Sequence, residues 1–306
     1  MKLEGIHHVT AITADAQPNI DFYAGVLGLR LVKKSVNQDR PNVYHLFYGD
    51  EHGGAGSDIT FFEFRGVPQG GAGAGMVHRI DWRLGDREAI GFWAQRLQRH
   101  GIEVELDGRE AALEFADPEG LRHRFVLSDS PDPALIAEHP EVPAALALRG
   151  FDAVRAFAAE PAAPAALLEA LGFETAAGGL DWEARGDLRG GRIGYDSPPE
   201  ASALQGAGTV HHVAWASTID DHEAWRAVAA AAGATPTPVI DRHYFRSIYF
   251  REPSGVLFEI ATLGPGFEID EPLAELGSRL SIPPFLEHRR AEIEAAIHPV
   301  TNPRYG

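Results

Sequence analysis

The chain carries the same pair of histidines twice, in GIHHVTAI at Gly5–Ile12 and in TVHHVAWA at Thr209–Ala216. A carboxylate, Glu259, interrupts the apolar run GVLFEIAT near the end of the second half. Glutamate is almost never buried without a partner or a metal. A histidine pair opening a half-buried strand can serve packing alone, but two such pairs at one register point to a shared site. Two imidazoles and one carboxylate on rigid strands suit non-haem Fe(II): they occupy one face of the ion and leave the other positions open for substrate and dioxygen. His8, His212 and Glu259 are therefore the expected metal ligands, with Mn(II) an alternative because it accepts the same donors.

These three residues converge only if the chain repeats, and it does. Four segments, from about Leu3 to Arg65, Val77 to Leu127, Ala147 to Asp196 and Thr209 to Leu263, each read as strand, helix, then strands. Glycines that can stop a helix fall at Gly28, Gly101, Gly172 and Gly233. Counting back 20 to 22 residues from each reaches His8, Arg79, about Asp152 and His212. A second marker agrees: ADPEGLRHRFVL matches REPSGVLFEIAT, which pairs Arg124 with Glu259 and places Glu63 near the same position in the first segment. Only segments one and four then offer ligands, so these two must face each other.

A unit of one helix and about four strands cannot bury both faces of its sheet alone, so such units pair and curl into a cup. The expected architecture is α+β, with four βαβββ modules forming two cup-shaped half-barrels. The reading divides the chain into an N-terminal pair of modules at 1–130, a Pro-rich and acidic linker over 128–145, a C-terminal pair at 146–263 and a tail at 264–306. That tail holds an amphipathic helix, Phe285–Ile297.

Composition excludes several classes. With 44 Asp+Glu against 27 Lys+Arg, the net charge of −17 disfavours nucleic acid and anionic membrane as partners. Cys is 0, which removes disulfides, thiolate zinc sites and cysteine nucleophiles. The sequence has neither a long apolar run nor a basic and apolar leader, so the expected location is cytoplasmic. GGAGAG at 70–75 lacks the strand, helix and lysine of a phosphate loop and reads as a flexible linker. His45, His52, His78, His100, His123, His139, His222, His288 and His298 read as packing or surface residues.

The stretches LGLRLVKKSVNQD (Leu27–Asp39), YHLFYGDEHGGAGSDITFFEF (Tyr44–Phe64) and IDRHYFRSIYFREPSGVLFEIAT (Ile240–Thr262) are similar to the vicinal oxygen chelate superfamily of glyoxalases, bleomycin resistance proteins and extradiol dioxygenases. The chain resembles in particular its ring-cleaving dioxygenases acting on hydroquinones, over nearly its whole length. The resemblance implies Fe(II) on His8, His212 and Glu259, surrounded by His7, Thr10, His211, Arg242 and Tyr249. It also implies an enzyme that opens a para-diol ring with O2, and a homodimer is the default assembly for folds of this kind. Arg242 and Tyr249 would then hold the distal hydroxyl and His211 would move a proton. Period-two alternation turns His7 and His211 away from His8 and His212, so both reach the site only if the strands are bulged. Two other functions share this fold: a glyoxalase-type isomerase or lyase, with Glu63 as a fourth ligand, and a non-catalytic drug-binding resistance protein.

Overall fold

Left-handed glycines close the four unit helices, with φ of 69° at Gly28, 77° at Gly101, 81° at Gly172 and 92° at Gly233. Any side chain at these positions would be strained, so these glycines mark the register of the repeat. The structure, a computed structural model, describes residues 1–108, 111–176 and 179–305.

Unit one comprises β1 (Ile6–Thr13), α1 (Ala16–Ile20) continued by a π-helical turn, β2 (Arg30–Asn37), β3 (Arg40–Gly49) and β4 (Asp58–Glu63). Unit two comprises β5 (Met76–Leu84), α2 (Arg87–Arg99), β6 (Glu105–Asp107), β7 (Ala112–Ala116) and β8 (Arg122–Leu127). Unit three runs through β9 (Phe151–Phe157), α3 (Ala165–Ala170), β10 (Glu174–Thr175), β11 (Asp181–Arg185) and β12 (Gly190–Asp196). Unit four runs through β13 (Val210–Ser217), α4 (His222–Ala231), β14 (Ile240–Asp241), β15 (Phe245–Arg251) and β16 (Leu257–Pro265).

Within each unit the first and last strands pair in parallel, which leaves the other edge of the first strand open. Those open edges meet: β1 pairs antiparallel with β13, and β5 with β9. Two eight-stranded sheets result, ordered β14-β15-β16-β13-β1-β4-β3-β2 and β10-β11-β12-β9-β5-β8-β7-β6. Units one and four therefore share one curled sheet, and units two and three share the other. Each sheet takes one unit from 1–130 and one from 146–263. One apolar core, including Val9, Trp82, Trp93, Val213 and Trp215, runs through both sheets and their helices.

The 70–75 glycines lie where the two inter-unit linkers cross, bridged at Gln69–Ala207 and Gly71–Leu204. A Cβ on Gly70 would sit 2.5 Å from the Leu204 carbonyl oxygen, so only glycine permits this approach. A buried chain of hydrogen bonds ties units one and two. Trp82 Nε1 donates to His123 Nδ1 (3.1 Å), and the Tyr23 hydroxyl lies 2.9 Å from His123 Nε2 and donates to Asp117 (2.8 Å).

After β16 the tail crosses the first cup and is fastened on the far side by Lys33 of β2, which is fully buried. Its ammonium pairs with Asp270 (2.6 Å) and Glu271 and donates to the Phe267 carbonyl (3.2 Å). Ser281 N then bonds the Lys34 carbonyl (2.8 Å). The terminal helix α5 (Arg290–Ala296), preceded by a 3-10 turn over Pro284–Arg289, buries Ile293, and the Tyr44 hydroxyl donates to the His298 carbonyl nearby (2.7 Å). No helix among the described residues is long and apolar enough to cross a membrane.

Candidate metal centre

Pairing β1 with β13 sets His8 and His212 on neighbouring strands, and β16 brings Glu259 alongside β13. Glu259 Oε2 lies 2.9 Å from His212 Nε2 and 3.2 Å from His8 Nε2, and the two imidazole nitrogens are 3.2 Å apart. All three residues are buried, Glu259 completely. They form the one cluster of three potential ligands among the described residues. Burial alone would raise the Glu259 carboxyl, but positive charge on the His8 and His212 side of it holds it well below the usual carboxylate range, a role that falls to a cation once both imidazoles are neutral.

The expected obstacle at His7 and His211 is removed by two β-bulges. Along the β1–β13 pairing, Ile6 faces Trp215 and His8 faces Ala214, so His7 is the extra residue on β1. Thr10 faces His212 and Ala11 faces Val210, so His211 is the extra residue on β13. A bulge breaks strict alternation. His7 Nδ1 accordingly comes within 2.9 Å of His8 Nδ1, and His211 Nδ1 within 2.8 Å of His212 Nδ1.

These contacts decide which nitrogens face the cluster. His7 Nε2 lies 3.1 Å from the Thr262 carbonyl, which can only accept, so His7 carries its proton on Nε2. Burial and the neighbouring His8 lower its pKa to about 3, so His7 is neutral and its Nδ1 accepts from His8 Nδ1–H. That leaves a lone pair on His8 Nε2. The contact between His211 and His212 allows the same arrangement. Three lone-pair atoms then crowd together, and neither Glu259 oxygen has a well-formed hydrogen bond. A buried N2O donor set of this kind fits a divalent cation, which would relieve the repulsion among its members.

Glu63 does not join them. Its carboxylate accepts from Ala16 N at the start of α1 (2.9 Å), and burial raises its pKa. Its register partner is Thr13, whereas Glu259 pairs with Ala214. Matching His8 to His212 makes Thr10 the counterpart of Ala214 and Thr60 the counterpart of Glu259. The sequence alignment of Glu63 was thus off by three positions. In the second sheet the equivalent Arg79 pairs with Asp81 (2.7 Å) and Glu114 (3.2 Å).

The cluster lines a cavity bounded by residues of units one and four. Its aromatic walls are Phe47, Phe62, Phe245, Tyr244 and Tyr249. Arg242 lies 5.6 Å over the Tyr249 ring and pairs with Asp39 (3.0 Å) from the β2–β3 turn, while the Gln38 amide donates to the Arg242 carbonyl (2.8 Å). Units one and four therefore meet again at the mouth. Thr10 is fully buried, and its hydroxyl lies 2.8 Å from that of Thr60. His7, Thr10 and His211 do not line the cavity. The two histidines instead touch the ligand histidines.

The family model described as "Glyoxalase/Bleomycin resistance protein/Dioxygenase superfamily" matches residues 5–125 and 138–260. The chain belongs to that superfamily. It is 40% identical, across 98% of its length and 100% of the relative, to a Bacillus subtilis (strain 168) protein named "Putative ring-cleaving dioxygenase MhqA". It is 31% identical, across 95% of each chain, to the chlorohydroquinone/hydroquinone 1,2-dioxygenase of Sphingobium indicum. A crystal structure of a "putative dioxygenase" from Bacillus subtilis superposes with a TM-score of 0.90 at 38% identity, covering 98% of both chains. The fold expected from the sequence, with its two half-barrels, is the fold of this superfamily.

Sequence reasoning missed one residue of this superfamily member's cavity. His45, read as a packing or surface residue, lies in the cavity wall between Phe47 (ring centroids 3.8 Å apart) and Phe62 (4.4 Å). Its Nε2 is 2.9 Å from the Thr60 hydroxyl. Burial, reinforced by His8 and His212, holds its pKa well below the ordinary value. The available signal was alternation along YHLF, which puts His45 and Phe47 on one face of β3.

Proposed function

We propose that the protein is a metal-dependent dioxygenase that opens the ring of a hydroquinone-type diol with O2. The observation that carries this reading is the convergence of only three ligands, His8, His212 and Glu259, beneath an aromatic-walled cavity. Thr60 stands where a fourth protein ligand would be needed for the isomerase alternative. The names of the relatives support a ring-cleaving dioxygenase, and one of them a para-diol substrate.

A divalent ion on this triad, Fe(II) or the Mn(II) that the same donors accept, would lower the pKa of a phenol oxygen and supply open positions beside it. The chain's own residues do the rest. His7 and His211 hold the ligand imidazoles in the tautomer and orientation that point Nε2 at the centre. Since His211 lies off the cavity, we assign it to orienting His212 and not to moving a proton on the substrate. Phe47, Phe62 and Phe245 exclude water and clamp the flat ring. A para-diol cannot chelate one ion through both oxygens, so protein groups must fix the second one. We assign this to Arg242 and Tyr249, which line the cavity, and whose positive charge and hydroxyl favour negative charge developing on the ring oxygens.

The test is oxygen uptake by anaerobically purified, Fe(II)-loaded protein given methylhydroquinone or catechol, with the His8→Ala variant alongside. Uptake matched to the loss of aromatic absorbance, preferring the para-diol and absent in the variant, is expected. Metal-loaded protein that consumes no oxygen with either diol would overturn the reading.

A further inference from the structure

Two units give the cavity polar groups. Unit four contributes Arg242 and Tyr249, and unit one contributes His45. The assignments made above leave His45 without a role.

Its hydrogen bonds form a short chain across three strands: His45 Nε2 to Thr60 Oγ1 (2.9 Å), and Thr60 Oγ1 to Thr10 Oγ1 (2.8 Å). Each hydroxyl has one proton to donate. If His45 carried its proton on Nε2, Thr60 would donate to Thr10, and the Thr10 hydroxyl proton would have no protein acceptor among the described residues. In the reverse sense both buried hydroxyl donors are used, and the one unpaired donor moves from Thr10, which is fully buried, to the imidazole: Thr10 donates to Thr60, Thr60 donates to His45 Nε2, and the imidazole proton sits on Nδ1. His45 Nδ1 has no protein partner among the described residues and is not sealed from solvent, in a residue that lines the cavity. Phe47 and Phe62 pack against the imidazole, and the Thr60 bond at Nε2 restricts its rotation.

We propose that His45 is a substrate-binding residue whose Nδ1–H donates to the ring oxygen of the diol that is not at the metal centre. This deepens the dioxygenase reading and rests on it. The donor comes from unit one and Tyr249 from unit four, so both units contribute a polar group to the same cavity. A substrate lacking that oxygen would leave a buried donor unpaired, which makes His45 a determinant of specificity for diols over simple phenols.

Anaerobic titration of the metal-loaded protein with hydroquinone and with phenol tests this, using the wild type, His45→Phe and Thr60→Val, with metal content and melting temperature recorded for each. Wild type is expected to bind hydroquinone more tightly than phenol by about tenfold, the scale of one neutral hydrogen bond in a partly dry site. His45→Phe should lose most of that preference, keeping only the part that Arg242 and Tyr249 supply, with phenol affinity unchanged. Thr60→Val, which keeps the imidazole and frees its tautomer, should reduce the preference. A folded, metal-loaded His45→Phe or, if that variant does not fold, a Thr60→Val that keeps the wild-type preference overturns the assignment of His45 and leaves the dioxygenase reading intact. Wild-type protein that does not distinguish the two ligands, or binds neither, overturns the diol reading and His45 with it.

Discussion

Thr60 occupies in the first unit the register position that Glu259 occupies in the fourth: Thr60 faces Thr10 as Glu259 faces Ala214. One side of a pseudo-symmetric cup therefore supplies a histidine and a carboxylate, and the other a histidine and a hydroxyl. Three ligands result where symmetry would give four.

Thr60→Glu should restore the fourth ligand. Bound metal, measured by elemental analysis, is expected to be retained, while oxygen uptake with methylhydroquinone falls to background because an open position is filled. Undiminished uptake with full metal occupancy would show that this position does not face the ion.

His7→Phe should weaken metal binding without unfolding the protein, because His8 loses the acceptor that fixes its tautomer. Loss of such an orienting partner typically costs about 10–100-fold in metal affinity. His211→Phe should cost less, since His211 lacks the backbone anchor that Thr262 gives His7. Competition with a chelating dye measures both, and equal affinities in all three proteins would refute the tautomer argument.

Lys33→Met should destabilise by about 3–5 kcal/mol, the usual cost of stranding a buried charge. Glu271, 1% exposed, is the charge left behind. Adding Glu271→Gln should recover part of the loss. Urea unfolding gives the energies, and faster proteolysis within 264–282 in the single variant would report release of the tail.

His123 makes stability depend on pH. Burial lowers its pKa to about 3 in the folded protein, against about 6.5 when exposed. Between these values the unfolded chain binds a proton that the folded chain does not. Its contribution is therefore complete above pH 6.5 and is lost as pH falls toward 3, by at most ~1.4 kcal/mol per pH unit. Asp117, raised by burial to about 6, acts in the opposite sense below that pH. His123→Gln should flatten the acid side of a plot of urea midpoint against pH, and an unchanged slope would contradict the assignment.

Much of this protein was legible in its sequence, since the helix-ending glycines and the HHV repeat fix the strand and helix register locally. Backbone strain at Gly28 or Gly233 depends only on a few neighbouring residues. That locality is enough to group His8, His212 and Glu259 from the sequence alone. Units one and four sharing a sheet could also be inferred, because only they carried ligands. The register of β4 could not: Glu63 and Thr60 differ by three residues along one strand, and the choice depends on hydrogen bonding to β1. The bulges at His7 and His211 arise from the pairing of two strands two hundred residues apart, so no local pattern announces them. His45 likewise acquires its meaning from Thr60, Thr10 and the cavity residues of unit four. Sequence determined the repeat and the ligands because propensity and burial act over short range. The third ligand's isolation, the imidazole tautomers and the donor in the cavity wall were decided by tertiary structure, because hydrogen bonds and packing join residues that the chain keeps apart.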